Sequence, residues 1–226
     1  MNKIYEVENL SFSYSNTDVL DEIKFNIYEK DFVGIVGANG SGKSTLLKIL
    51  VSELKNFTGN VKIFGEDIRS FKRWKKIGYV PQVDRDKSVA FPISVREMIM
   101  LNLYSAFNVF NHPKKMHKQM VKDVLDMFNL SSFANKNYNE LSGGQKQRVM
   151  IAKAMVHNPD VLIFDEPTVG IDKSSKEEFF HILEHINKDH GITIIMVTHE
   201  MELADQYFTR KLVLKDKKLE EKNVSI

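Results

Sequence analysis

The chain has 226 residues, enough for a substantial core in one domain, and its 32 lysines and arginines nearly balance 30 aspartates and glutamates. That balance gives no electrostatic argument for a nucleic-acid partner. Cysteine is absent, which removes disulfides, thiolate metal sites and thiol nucleophiles together. No apolar run reaches the roughly 18 residues of a membrane-spanning helix, and the first residues carry scattered charge unlike a signal peptide. A cytoplasmic chain is the expectation.

IYEVENLSFSY (4–14) and IKFNIY (23–28) read as strands, with a polar turn, SNTD, between them. DFVGIVG (31–37) is a short apolar strand running into a glycine-rich loop, and KSTLLKILVSEL (43–54) continues as a helix. GNVKIFGEDI (59–68) predicts a hairpin arm, and KKIGYVPQ (75–82) a short strand ending at proline. From 83 the pattern turns helical, methionine-rich and more polar. A helix entered through Pro113 places Met116, Met120, Val121, Val124, Leu125 and Phe128 on one stripe, read as core packing.

After Leu141 the alternation returns: a helix to Val156, strand DVLIFDEP (160–167), helix SSKEEFFHILEHINKD (174–189), strand ITIIMVTH (192–199), helix EMELADQY (200–207), and a terminal RKLVLKDKKLEE (210–221). This is a single α/β domain, with 1–82 and 139–226 as its core and about 83–138 as an inserted helical subdomain. The basic runs FKRWKK (71–76) and KDKK (215–218) are read as solvated faces.

Chemistry concentrates in a few stretches. Gly37–Ser44 satisfies G-x-x-x-x-G-K-[ST]: the loop Gly37, Ala38, Asn39, Gly40, Ser41, Gly42, with Thr45 after it, bends around phosphate oxygens. Lys43 supplies charge to the β- and γ-phosphates, and the Ser44 hydroxyl suits magnesium. In VLIFDEP, Asp165 ends an apolar strand where it reaches a magnesium shell, and Glu166, pointing elsewhere, suits polarising a water. His199, ending IMVTH, either stabilises a γ-phosphate or closes its strand through a backbone hydrogen bond. Gln82 either ligates magnesium and orients water or is a surface glutamine. LSGGQKQRV (141–149) is a second glycine turn heading a helix, hence a second phosphate cradle, for another nucleotide or another task. HILEH (181–185) matches H-x-x-E-H, but Phe179, Phe180, Leu183 and Ile186 form that helix's apolar stripe, leaving His181, Glu184 and His185 on a solvated face. HEMEL lacks the second histidine of a zincin, having Leu203 there.

The order phosphate loop, YVPQ, LSGGQKQR, LIFDEPT, GID, VTHE resembles the nucleotide-binding subunits of ABC transporters over almost the whole chain. That resemblance implies a P-loop NTPase core with an N-terminal antiparallel β subdomain and an inserted helical subdomain. It also implies ATP and magnesium as cofactors, an adenine platform at Tyr14, a Q-loop at Gln82, and a signature at Leu141 followed by Ser142, Gly143, Gly144 and Gln145. The catalytic carboxylate would be Glu166, the D-loop Thr168–Asp172 and the switch histidine His199. The D-loop reads TVGID where SALD is commoner in the family. Two subunits pack head to tail in such proteins, each signature covering the γ-phosphate held by the other's loop, which gives the second cradle its task. The resemblance further implies a separate permease docking on the helical subdomain, an extracytoplasmic solute-binding protein acting indirectly, and residence on the inner face of the membrane. FPISVREMI (91–99) and TVGID look like those of zinc and manganese uptake ATPases, with siderophore or haem import as the alternative cargo. DNA-repair members carry long coiled coils and translation-type members two nucleotide units; this chain has neither, so no nucleic-acid partner is expected.

Overall fold

Alternating β-formers at the start of the chain build β1 (Lys3–Tyr14) and β2 (Thr17–Tyr28), an antiparallel pair turned by Ser15 and Asn16. The computed structural model describes residues 2–82, 91–106, 112–168, 172–199 and 204–223. β2 starts well before Ile23 because Leu20 is already buried in the core. β4 (Thr58–Ile63) and β5 (Glu66–Asp67) extend this sheet in the order β2-β1-β4-β5.

The second sheet has six strands in the order β10-β9-β3-β8-β7-β6. They are β3 (Phe32–Val36), β6 (Ile77–Val80), β7 (Val161–Asp165), β8 (Thr193–Thr198), β9 (Arg210–Lys215) and β10 (Lys218–Asn223). All neighbours are parallel except the β9–β10 hairpin. The central strands are continuously apolar because both faces are covered. Val33, Ile35, Ile163, Ile195 and Val197 face α1 (Lys43–Leu50) and the antiparallel sheet. Phe32, Val36, Phe164, Ile194 and Met196 face the helical layer of α2 (Val95–Met100), α3 (Lys115–Met127), α4 (Gly143–Met155) and α5 (Lys173–His190).

Several local expectations need correction. Met116 is 61% exposed, whereas His117 is buried. The buried arc of α3 runs through His117, Val121, Val124, Leu125 and Phe128, and at 100° per residue Met116 points away from its centre. Helix α1 stops at Leu50 rather than running to Leu54, as Ser52 turns to φ 59°. KDKK is exposed throughout, as expected, and forms a hairpin turn: Asp216 and Lys217 both have positive φ, at 48° and 67°, the geometry that joins twisted antiparallel strands in two residues. FKRWKK is only partly solvated, since Phe71 is buried with Trp74 edge-on at 5.0 Å. Of EMELADQY, 200–203 lie outside the described residues and Ala204–Gln206 form a 3₁₀ turn.

Backbone closeness is set by small residues in two strands. A Cβ on Gly34 of β3 would stand 2.2 Å from the Phe208 ring, and one on Gly78 of β6 would stand 2.8 Å from the Ala154 carbonyl oxygen of α4. Gly34→Ala is expected to destabilise the fold by about 1–3 kcal/mol through overpacking. Thermal unfolding checks this, and shrinking the ring with Phe208→Leu in the same chain should recover part of the loss.

Candidate active site

Parallel strands deliver their following loops to one edge of the sheet. From β3 the chain enters the loop 37–42, whose Gly40 and Gly42 take φ 78° and 102°, open to glycine at little cost. At Gly37 a Cβ would lie 2.4 Å from the Leu214 carbonyl oxygen of β9. Lys43 is buried, and its ammonium donates to the Gly37 and Ala38 carbonyls, both at 3.0 Å, so its charge lies against the loop. Ser44 is exposed and Thr45 buried, while Ala38, Asn39 and Gly40 are open. A cleft of about 600 Å³ adjoins the loop, with Asp18, Val19, Asn39, Gly40, Val213 and Lys217 among its walls. Tyr14 does not line it. Half exposed and edge-on to Phe12 at 4.8 Å, it stands one register step away, opposite Thr17, which does.

Two strands along, β7 ends in Asp165, opposite Val197 of β8. Asp165 is 7% exposed and its Oδ1 has no hydrogen-bond partner among the described residues. Burial, and after it the charge of Glu166, pushes this carboxyl above the usual carboxylate range, with Lys48 and Lys43 pulling the other way. A buried, unsatisfied carboxylate oxygen and the exposed Ser44 hydroxyl at the head of α1 are oxygen donors of the kind a hard cation takes. Tyr79 of β6 belongs to the same environment, its phenol pushed up to about 12 by burial and then by Asp165 and Glu53.

Glu166 sits at φ 44°, a left-handed conformation that costs a non-glycine residue on the order of 1–3 kcal/mol. Its N–H donates to the Val197 carbonyl at 2.9 Å, and its carboxylate lies 3.4 Å from His199 Nδ1. The end of β8 thus turns the His199 ring toward Glu166. Gln82 is exposed two residues beyond Val80, which pairs with Phe164 just before Asp165. Across this edge stand, in order, the loop after β3, His199, the Asp165–Glu166 pair and Gln82.

The second glycine turn heads α4. Ser142 caps that helix, its Oγ accepting from the Gln145 N–H at 3.3 Å while Gln145 Oε1 accepts from the Ser142 N–H at 3.0 Å. Ser142 and Gly143 are exposed, so the first-turn N–H groups face outward. Helix α4 packs on β6, three strand steps from β3, or roughly 14 Å at about 4.8 Å per step. Of the D-loop, 169–171 lie outside the described residues; Thr168 is buried, and Asp172 caps α5 by accepting from the Ser175 N–H at 3.0 Å. On α5, His181 and His185 are exposed, Glu184 is paired with Lys188 at 2.6 Å, and no set of three metal-ligating side chains is found among the described residues. Reading by motif missed Val19, the β9–β10 hairpin, Tyr79 and Lys48. The alternation of RKLVLKDKKLEE about its DK pair was the available signal for the hairpin.

The family described as ABC transporter matches residues 20–169. The chain belongs to that family. It is 38% identical to the zinc uptake system ATP-binding protein ZurA of Listeria innocua, over 92% of this chain and 80% of that protein. It is 33% identical to the manganese transport system ATP-binding protein MntB of Bacillus subtilis, over 95% and 84%. The dimeric post-hydrolysis structure of the ATP-binding cassette MJ0796 bound to ADP and Pi superposes with a TM-score of 0.80 at 28% identity, covering 99% of this chain and all of that one. The present chain is accordingly an ATPase of the ABC cassette fold.

Because Asp165 Oδ1 is buried with no hydrogen-bond partner among the described residues, Asp165→Asn is expected to raise the melting temperature of the nucleotide-free protein at neutral pH while abolishing ATP hydrolysis. Relief of an unsatisfied buried charge corresponds to about 1–3 kcal/mol. A lower melting temperature would show that the carboxylate is satisfied.

Proposed function

We propose that this cassette powers a bacterial importer of zinc or manganese, working as a head-to-tail dimer beneath a separate permease. The observation that carries the dimer is the separation of the two phosphate cradles. The loop with Lys43 follows β3 at mid-sheet, whereas the exposed turn at Ser142 and Gly143 heads the helix packed on the edge strand β6, and this reading gives that turn to a nucleotide held by another copy. ATP then joins the two subunits, and hydrolysis releases them.

In this reading Lys43 and the loop amides hold the β- and γ-phosphates, and Ser44, Gln82 and Asp165 would hold magnesium, which supplies charge neutralisation on those phosphates. Glu166 polarises the attacking water. His199, within 3.4 Å of that carboxylate, orients it and donates toward the γ-phosphate. Tyr14, beside the cleft wall at Thr17, receives the adenine. Segment 83–138 is the docking subdomain: Phe91, Leu101, Tyr104 and Met116 are 49–61% exposed there, an apolar set suited to a permease segment. No helix among the described residues is long and apolar enough to cross a membrane, which suits a subunit peripheral to the inner face. The solute-binding protein acts through the permease. Zinc or manganese as cargo is supported by the names of the relatives ZurA and MntB.

Glu166→Gln should bind ATP, accumulate as a dimer on size exclusion, and lose turnover by roughly a hundredfold or more. Hydrolysis at the native rate would remove Glu166 from the role of base. Ser142→Arg should leave ATP binding by the single subunit intact and abolish dimer formation, the native monomer itself being nearly inactive. For cargo, cells lacking the chain should lose uptake of radioactive zinc or manganese and regain it with the native gene. Loss of iron-chelate uptake instead would reassign the importer.

A further inference from the structure

The strained backbone at Glu166 is held from both sides. On its amino side the Glu166 N–H is tied to β8 through the Val197 carbonyl at 2.9 Å. On its carboxyl side, one peptide further along, the Pro167 carbonyl accepts from Gln147 Nε2 at 3.1 Å. Gln147 is 8% exposed, so its amide is locked by packing, and it lies on α4 one turn beyond Gly143. Left-handed backbone at a glutamate persists only where its surroundings impose it, and Gln147 is the one side-chain donor to this carbonyl among the described residues.

We propose that Gln147 is a positioning residue that relays engagement of the Ser142–Gly144 turn to Glu166 of the same chain. The inference rests on the head-to-tail ATPase reading above. Helix α4 moves as a rigid rod when its first turn meets the partner's γ-phosphate, and the amide of Gln147 carries that displacement to the Pro167–Thr168 peptide and, through Pro167, to Glu166. Each subunit's base is then set by the nucleotide its own signature covers, which lies in the opposite site. Hydrolysis at the two sites is thereby made interdependent, without contact between Gln147 and either nucleotide.

Two mixed dimers separate this relay from damage to the signature turn. In the first, a Gln147→Met chain is paired with a Glu166→Gln chain. The only competent base then lies in the chain whose relay is cut, and an intact turn from the other chain covers its nucleotide. In the second, a chain carrying both substitutions is paired with a native chain, so base and relay are intact but the covering turn belongs to the altered helix. Both contain the altered α4, so misfolding would depress both. Single-turnover ATP hydrolysis is measured against a native chain paired with Glu166→Gln. The relay predicts about a tenfold loss in the first dimer at unchanged ATP affinity, and none in the second. Loss confined to the second, equal loss in both, or loss in neither overturns it. Turnover by the reference dimer tests separately the reading on which the relay rests.

Discussion

The parallel hydrogen-bond ladder joining β3, β8, β7 and β6 decides where every reactive group stands. Val36 is paired with Thr198, Asp165 with Val197, and Val80 with Phe164, so the four strands end almost level. The phosphate loop, His199, Glu166 and Gln82 need no further device to share one edge, because each is the first irregular residue or two after its strand. A one-residue slip in any pairing would turn alternate side chains to the opposite face and move Asp165 from one core to the other. The two apolar layers guard against that slip: Ile163 and Ile195 are committed to the α1 side, and Phe164 and Met196 to the helical side.

That edge is costly to the fold. Asp165 is buried with an unsatisfied oxygen, Lys43 keeps an ammonium under the surface, and Glu166 carries left-handed backbone. Each is tolerated because the strands beneath are covered on both faces, so the core supplies the stability that these residues consume. The same three features suit phosphate chemistry: a carboxylate oxygen left open, a positive charge held against the loop, and a glutamate whose direction is dictated by its backbone. The site is preorganised at the expense of local stability.

How legible this was in the sequence depended on how local each constraint is. The phosphate loop, the carboxylate pair and His199 were readable because a short strand, a turn and a helix start impose residue types within a few positions. The hairpin at Asp216–Lys217 was hidden by its charge, although period-two alternation flanks it. Met116 is apolar at helical spacing yet lies off the buried arc by its angle about the helix axis, and His117 takes the buried position through contacts that composition does not reveal. Tyr79, Lys48 and Glu53 gather around Asp165 from other elements, and Gln147 reaches Pro167 from another helix. Those contacts are tertiary, and no spacing rule encodes them.

The two glycine turns finally differ in what their own chain asks of them. Gly37 is pressed by the Leu214 carbonyl, and Gly42 combines φ 102° with Val19 and Leu20 atoms at 3.0–3.1 Å, so the fold itself excludes side chains there. Gly144 is different: the nearest atom to a Cβ placed on it is Ser175 Oγ at 3.6 Å, an ordinary contact. Glycine inside a helix costs about 1 kcal/mol relative to alanine, and among the described residues no close packing offsets that cost. Ser142 and Gln145 already cap the helix, so capping does not demand it either. A bare backbone beside first-turn N–H donors leaves Gly144 open to a group approaching the helix start, and an oxygen-rich anion is what such donors favour.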